Sequence, residues 1–179
     1  IPLQHINDNV LRRMGRGTTR FETESLLAQL RERVKGIVLR TTFIVGFPGE
    51  TDAQFEELMD FVDEFEFDAM GAFAYSREEG TPAAEMPDQI PEEVKQERVE
   101  QLMLLQQDIV FEINESVIDS PITVLVDGAD EDGRTVARYY GQAPEIDAVC
   151  LLTESRPAGE FVNGTIVASE GYDLIVQPE

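Results

Sequence analysis

Hydrophobic positions along this chain follow two rhythms, and the change between them falls near residue 118. In the first part, apolar residues recur at helical spacing in segments that alternate with β-branched runs. Thr19 and Glu22 form a capping box, predicting a helix to about Val34 with Phe21, Leu26, Leu27 and Leu30 on its apolar side and Gly36 stopping it. Ile37 to Val45 is predicted as a strand. Its residues Val38, Leu39, Phe43, Ile44 and Val45 make the apolar run of a fully buried parallel strand. Thr51 and Gln54 form a second capping box. Phe55, Leu58, Met59, Val62 and Phe65 then give the inward stripe of a helix ending near Phe65, with Glu56, Glu57, Asp60, Asp63 and Glu64 toward solvent. Phe67 to Tyr75 reads as the next strand. At the start, Ile1 to Gln4 reads as a short strand, and Asp8 as the cap of a short helix carrying Val10, Leu11 and Met14. A loop from Ser76 to Ile90 leads to Pro91, which opens a long helix to about Val117 lined by Leu102, Leu105, Ile109 and Ile113.

Strands alternating with helices predict an α/β fold with a parallel sheet and right-handed crossovers. About three such units are present where a closed (β/α)₈ barrel needs eight, so this part is a small open sheet or part of a barrel. From Ser120 the period shortens. Pro121–Val126, Thr135–Tyr139, Ala148–Leu152, Phe161–Ala168 and Tyr172–Val176 read as five short strands separated by turn-forming residues. Five short strands in about sixty residues suit a small antiparallel barrel of OB-like size. The expected domains are therefore 1–117 and 118–179.

Composition narrows the function classes. The net charge is −22, with acidic residues densest between Glu50 and Asp68, a surface that repels phosphate backbones and favours basic partners. No apolar run reaches the length of a membrane span, and no secretory leader pattern is visible. A single cysteine, Cys150, excludes an internal disulfide framework, points to the reducing cytoplasm, and leaves no cysteine-built metal or iron–sulfur site on this chain alone. The chain opens on Ile1-Pro2-Leu3-Gln4 without methionine and is expected to be a piece of a longer protein.

The stretch Arg40 to Phe55 carries the most specific local chemistry. A strand end, the turn Gly46-Phe47-Pro48-Gly49-Glu50 and a helix N-terminus make a place where backbone N–H groups can meet a polar ligand; the alternative is a well-made βα turn with no ligand. His5, the sole histidine, has no companion for a metal site, and Cys150 reads as a small buried apolar group.

Four segments together resemble radical S-adenosylmethionine methylthiotransferases: Pro2-Leu3-Gln4-His5-Ile6, Asn9 to Arg16, Leu39 to Phe55, and Tyr75 to Ala83. The terminal strands resemble a TRAM domain. Within the family the chain looks most like the ribosomal-protein branch, the RimO type. The features are His5-Ile6 after Gln4, Arg40-Thr41-Thr42-Phe43 before the turn, and Glu78-Glu79-Gly80-Thr81-Pro82 in the later loop. Residues 116–179 hold twelve Asp/Glu against Arg134, Arg138 and Arg156, about −9, which suits a basic protein partner better than RNA.

The resemblance implies a chain that supplies the C-terminal part of a radical SAM (β/α) barrel and a TRAM substrate-binding barrel. It implies S-adenosylmethionine and two [4Fe–4S] clusters as cofactors of the full-length protein, the cluster ligands lying outside this chain. The cofactor-facing residues it implies are Gln4, Arg40, Thr42, Ile44, Gly46, Phe47, Pro48, Glu50 and Tyr75. Arg40 and Gln4 have structural alternatives, a barrel carboxylate partner for the first and a strand-end cap for the second. The implied reaction is methylthiolation of an aspartate β-carbon in the twelfth small-subunit ribosomal protein, with nucleic acid and membrane not expected as partners. The alternatives are a tRNA adenosine methylthiotransferase and a non-catalytic acidic binding protein.

Overall fold

The computed structural model describes residues 1–179, which divide into two compact units, Ile1–Ile109 and Val110–Glu179. The first unit contains α1 (Asp8–Arg13), α2 (Arg20–Arg33), β1 (Arg40–Val45), α3 (Asp52–Phe65), β2 (Ala69–Ala74), a 3₁₀ turn at Pro82–Glu85, and the start of α4 (Glu92–Ser116). β1 and β2 pair in parallel across α3, with Arg40 opposite Ala69 and Val45 opposite Ala74, as the βαβ pattern predicts. The expected first strand is reduced to one bridge, Gln4 against Phe43. Pro2 has no N–H to give, and Gln4 sits at φ 73°, so the chain leaves the ladder there.

β1 begins at Arg40 rather than Ile37, because the Leu39 N–H is held by Asp68 Oδ2 (2.7 Å) instead of a neighbouring strand. The strand is also not fully buried. Thr41, Phe43 and Val45 face the core, while Arg40, Thr42 and Ile44 are half-buried on the other face. On the core side, Phe43, Phe61 and Phe67 meet edge to face with centroids 5.8–6.4 Å apart.

Both capping boxes form as predicted, at Thr19/Glu22 and Thr51/Gln54, and α3 has its predicted ends. Three details differ. Asn7, not Asp8, caps α1, while Asp8 Oδ1 instead accepts the Arg20 N–H at the start of α2 (2.7 Å). α2 buries only Thr23 and Leu27; Phe21 is 78 % exposed, since 100° per residue carries it to the opposite side of that stripe. In α3, Phe61 is buried in place of Met59 and Phe65, because the aromatic cluster widens the inward face.

α4 departs furthest from expectation. Its inward stripe in the first unit is Lys95, Arg98, Leu102, Gln106 and Ile109, so three of five buried positions are polar. Each donor head finds an acceptor: Gln106 Nε2 donates to the Phe67 carbonyl (2.7 Å), Lys95 Nζ to the Tyr75 carbonyl (2.9 Å) and Arg98 Nη1 to Glu50 (2.8 Å).

In the second unit the end of α4 sends Asn114 Nδ2 to the Gly171 and Tyr172 carbonyls (3.3 Å each). The strands β3 (Pro121–Ala129), β4 (Thr135–Arg138), β5 (Cys150–Leu152), β6 (Phe161–Glu170) and β7 (Asp173–Pro178) close into a barrel in the order β3-β4-β5-β7-β6. Four neighbouring pairs are antiparallel as expected and β5–β7 is parallel. An odd number of strands cannot alternate direction around a closed ring, so one parallel pair is required. Val124, Val126, Ala137, Cys150, Leu152, Val162, Ile166, Leu174 and Val176 fill the interior.

Candidate cofactor site

The β1–α3 turn is built around the side chain of Glu50. Gly46 and Gly49 adopt φ 73° and 76°, which allows the chain to fold back in five residues. Glu50 is 2 % exposed. Its Oε2 accepts the N–H groups of Gly46 (2.9 Å) and Phe47 (3.3 Å), and its Oε1 accepts Arg98 Nη1 from α4 (2.8 Å). His5 Nε2 lies 3.6 Å from Oε2. Because His5 Nδ1 accepts the Asn7 N–H (3.0 Å), the neutral ring carries its proton on Nε2, facing Glu50. Arg98 Nη2 also pairs with Asp52 (2.6 Å) at the start of α3. Arg13 Nη1 donates to the Gly49 carbonyl (2.8 Å), tying α1 to the same turn.

Of the two sequence readings of this turn, amides offered to a ligand or a βα turn with none, Gly46 and Phe47 follow the second, since their N–H groups are taken by Glu50. The α3 N-terminus is likewise closed by its own capping box, with Gln54 N–H to Thr51 Oγ (3.3 Å) and Thr51 N–H to Gln54 Oε1 (3.1 Å).

The nine residues named from sequence fall into two groups. Gly46, Phe47, Pro48 and Glu50 are buried within the turn itself. Arg40, Thr42 and Ile44 share the half-buried face of β1, in register with Ala69, Gly71 and Phe73 of β2, and Phe73 is 60 % exposed. Gln4 and Tyr75 flank the same strand. Gln4 bridges to Phe43, and the Tyr75 N–H donates to the Val45 carbonyl (2.9 Å). The Tyr75 ring meets Phe47 edge to face at 5.2 Å. Two buried polar atoms here have no protein partner, Gln4 Oε1 and Tyr75 Oη. Such atoms are rare in folded proteins, and His5 Nε2 and Arg13 Nε beside the turn are two more.

S-adenosylmethionine fits this arrangement. Its adenosyl part asks for an apolar wall with a few polar groups, supplied here by Ile44 and the Tyr75 ring, with Gln4 Oε1, Tyr75 Oη and the Thr42 hydroxyl. An iron–sulfur cluster does not fit on Cys150. That residue lies inside the second unit's barrel, and burial pushes its thiol up to about 12, away from the thiolate a cluster needs.

Sequence reading missed Arg98, Lys95 and Arg13. Lys95 lays its methylene chain over Gly46, where any side chain would collide with it, and its Nζ donates to the Tyr75 carbonyl (2.9 Å). The available signal was position: 95, 98, 102, 106 and 109 lie on one helical stripe with Leu102 and Ile109. Residue type argued the other way, since lysine and arginine usually face water.

Comparison with known proteins bears on the family. Residues 1–62 match the Radical SAM superfamily and residues 120–178 match the TRAM domain. That pairing defines the class, a Radical SAM region joined to a TRAM domain. The relatives include three proteins named ribosomal protein uS12 methylthiotransferase RimO. The one from Geotalea uraniireducens is 48 % identical over 98 % of this chain, those from Desulforudis audaxviator and Geobacter sulfurreducens 46 % over 97 % and 98 %. The chain belongs to the radical S-adenosylmethionine methylthiotransferase family. It spans about 40 % of the length of these curated relatives, 40 %, 39 % and 40 % respectively.

Proposed function

We propose that this chain supplies cofactor-facing strands and the substrate-binding domain of a methylthiotransferase that acts on ribosomal protein uS12. With S-adenosylmethionine and a reduced iron–sulfur cluster bound, the full-length protein would have radical chemistry able to functionalise an unactivated carbon, here the β-carbon of an aspartate. The full-length protein would carry two [4Fe–4S] clusters on residues outside this chain. Gln4, Thr42, Ile44 and Tyr75 would hold the adenosyl part, and Arg40 would serve as a counter-charge for the cofactor's carboxylate. Gly46, Phe47, Pro48 and Glu50 would shape the turn behind them. Residues 118–179 would form the substrate domain, acting in the cytoplasm; no helix of the chain is long and apolar enough to cross a membrane.

One observation carries the choice of a protein substrate over an RNA. The barrel's three cations are all engaged by the protein's own carboxylates: Arg134 by Asp130 and Glu170, Arg138 by Asp127, and Arg156 by Glu154. A unit of about −9 whose cations are internally neutralised has little to offer a phosphate backbone and much to offer a basic ribosomal protein. The test is full-length protein with reconstituted clusters, given S-adenosylmethionine and a reductant, with uS12 and tRNA as competing substrates. Mass spectrometry is expected to find the methylthio group on a uS12 aspartate. Modification of tRNA adenosine with uS12 untouched would overturn the proposal.

A further inference from the structure

Glu50 is a carboxylate withdrawn from water, tolerated only where its charge is balanced and its lone pairs are filled. The charge is balanced by Arg98 from α4 and the lone pairs are filled by Arg98 and the Gly46 and Phe47 amides of the turn itself, with the His5 ring, from the segment before α1, packed 3.6 Å from Oε2. A buried pair of this kind adds little net stability over an apolar pair of similar volume, whereas it does specify one geometry. Here it specifies the backbone of Gly46 and Phe47, at the C-terminal end of β1. One helical turn before Arg98, Lys95 holds the Tyr75 carbonyl, just after the C-terminal end of β2 (2.9 Å). In parallel α/β barrels, the strand ends on this side carry the chemistry.

From this geometry we infer that His5, Glu50 and Arg98 form a lock that presets the Gly46–Glu50 turn for cofactor binding. Arg98 is its principal positioning residue. The inference rests on the radical SAM reading above. None of the three touches the cofactor; they act through the turn, whose Phe47 ring backs Tyr75.

The test uses the full-length, cluster-loaded protein and two readouts, S-adenosylmethionine affinity by calorimetry and hydrogen exchange of individual amides. Arg98→Lys keeps the charge but loses the two-pronged contact with Glu50 and Asp52. It is expected to speed exchange at Gly46 and Phe47 while α2 amides keep wild-type rates, and to weaken binding several-fold. Glu50→Gln/Arg98→Met removes both buried charges, so the unit folds. Because a neutral amide accepts the turn's N–H groups less strongly than a carboxylate, affinity is expected to fall about tenfold. Wild-type affinity in both variants overturns the lock. So does an equal acceleration of exchange at every amide of the first unit, which is the mark of a merely structural pair. Wild-type protein that fails to bind S-adenosylmethionine overturns the radical SAM reading and the lock together, whereas binding that no variant changes overturns the lock alone.

Discussion

Gly46→Ala isolates what the turn asks of its first residue. Two costs add. At φ 73° an L-residue is strained by about 1–2 kcal/mol. The new methyl group would also collide with Cγ and Cδ of Lys95. That side chain cannot swing aside cheaply, because it is buried and anchored at the Tyr75 carbonyl (2.9 Å) and at Glu92 (2.5 Å). Overpacking of this sort costs about 1–3 kcal/mol, so the substitution should remove about 2–5 kcal/mol in all. Native-state hydrogen exchange of the α3 amides reads the first unit without interference from the barrel. With about 1.4 kcal/mol per tenfold, protection should fall between about thirty-fold and several thousand-fold. A double-mutant cycle separates the two costs. In a Lys95→Ala background the collision is largely gone and only the backbone strain of about 1–2 kcal/mol should remain. A loss below about 0.5 kcal/mol, or the same loss in both backgrounds, would refute the claim that Lys95 seals this glycine.

Other predictions concern the caps and the barrel. Thr51→Ala should cost the first unit about 1 kcal/mol in the same exchange experiment, and Thr51→Ser should restore most of it, because the Gln54 N–H needs only the hydroxyl (3.3 Å). Gly164→Ala should destabilise the barrel by about 1–3 kcal/mol in urea unfolding. Its methyl would lie 2.5 Å from the Gln177 carbonyl oxygen, and a paired strand cannot yield as a side chain can. Cys150 should resist iodoacetamide at pH 8 in the native state and react once the chain is unfolded. Its thiol is raised in the folded state to about 12 from an ordinary 9.0, so the stability it lends is complete below pH 9 and is lost as pH rises toward 12. Over that window wild-type stability should decline by up to about 1.4 kcal/mol per pH unit more steeply than that of Cys150→Ala, and parallel slopes would show an exposed thiol.

Much of the fold was legible because its signals are local. The capping boxes at Thr19/Glu22 and Thr51/Gln54 fixed two helix starts, and the strands of the barrel announced themselves by alternation and by the turns between them. Where the reading failed, a longer-range partner decided the outcome. Leu39 leaves the strand because Asp68, twenty-nine residues on, takes its N–H (2.7 Å). The parallel β5–β7 pair follows from closing five strands, a property of the ring and of no single segment.

The site shows the same division more sharply. The Gly46–Glu50 motif is visible in sequence as a turn, but its chemistry is inverted by what reaches it from elsewhere. Glu50 has the look of a ligand-facing acid and is the interior strut; the Gly46 and Phe47 amides, which could have met a ligand, give their hydrogen bonds to it. What makes that possible is Arg98, forty-eight residues away on a helix whose buried stripe is mostly polar. A cation at an apolar helical position is a conflict between residue type and period, and natural sequences place such conflicts where a specific partner waits. The same logic points outward at Gln4 and Tyr75. Gln4 Oε1 and Tyr75 Oη are buried beside β1 without a protein partner. In the proposed reading the charges of Glu50 and Arg98 would hold the turn, while Gln4 and Tyr75 would turn their polar atoms to S-adenosylmethionine.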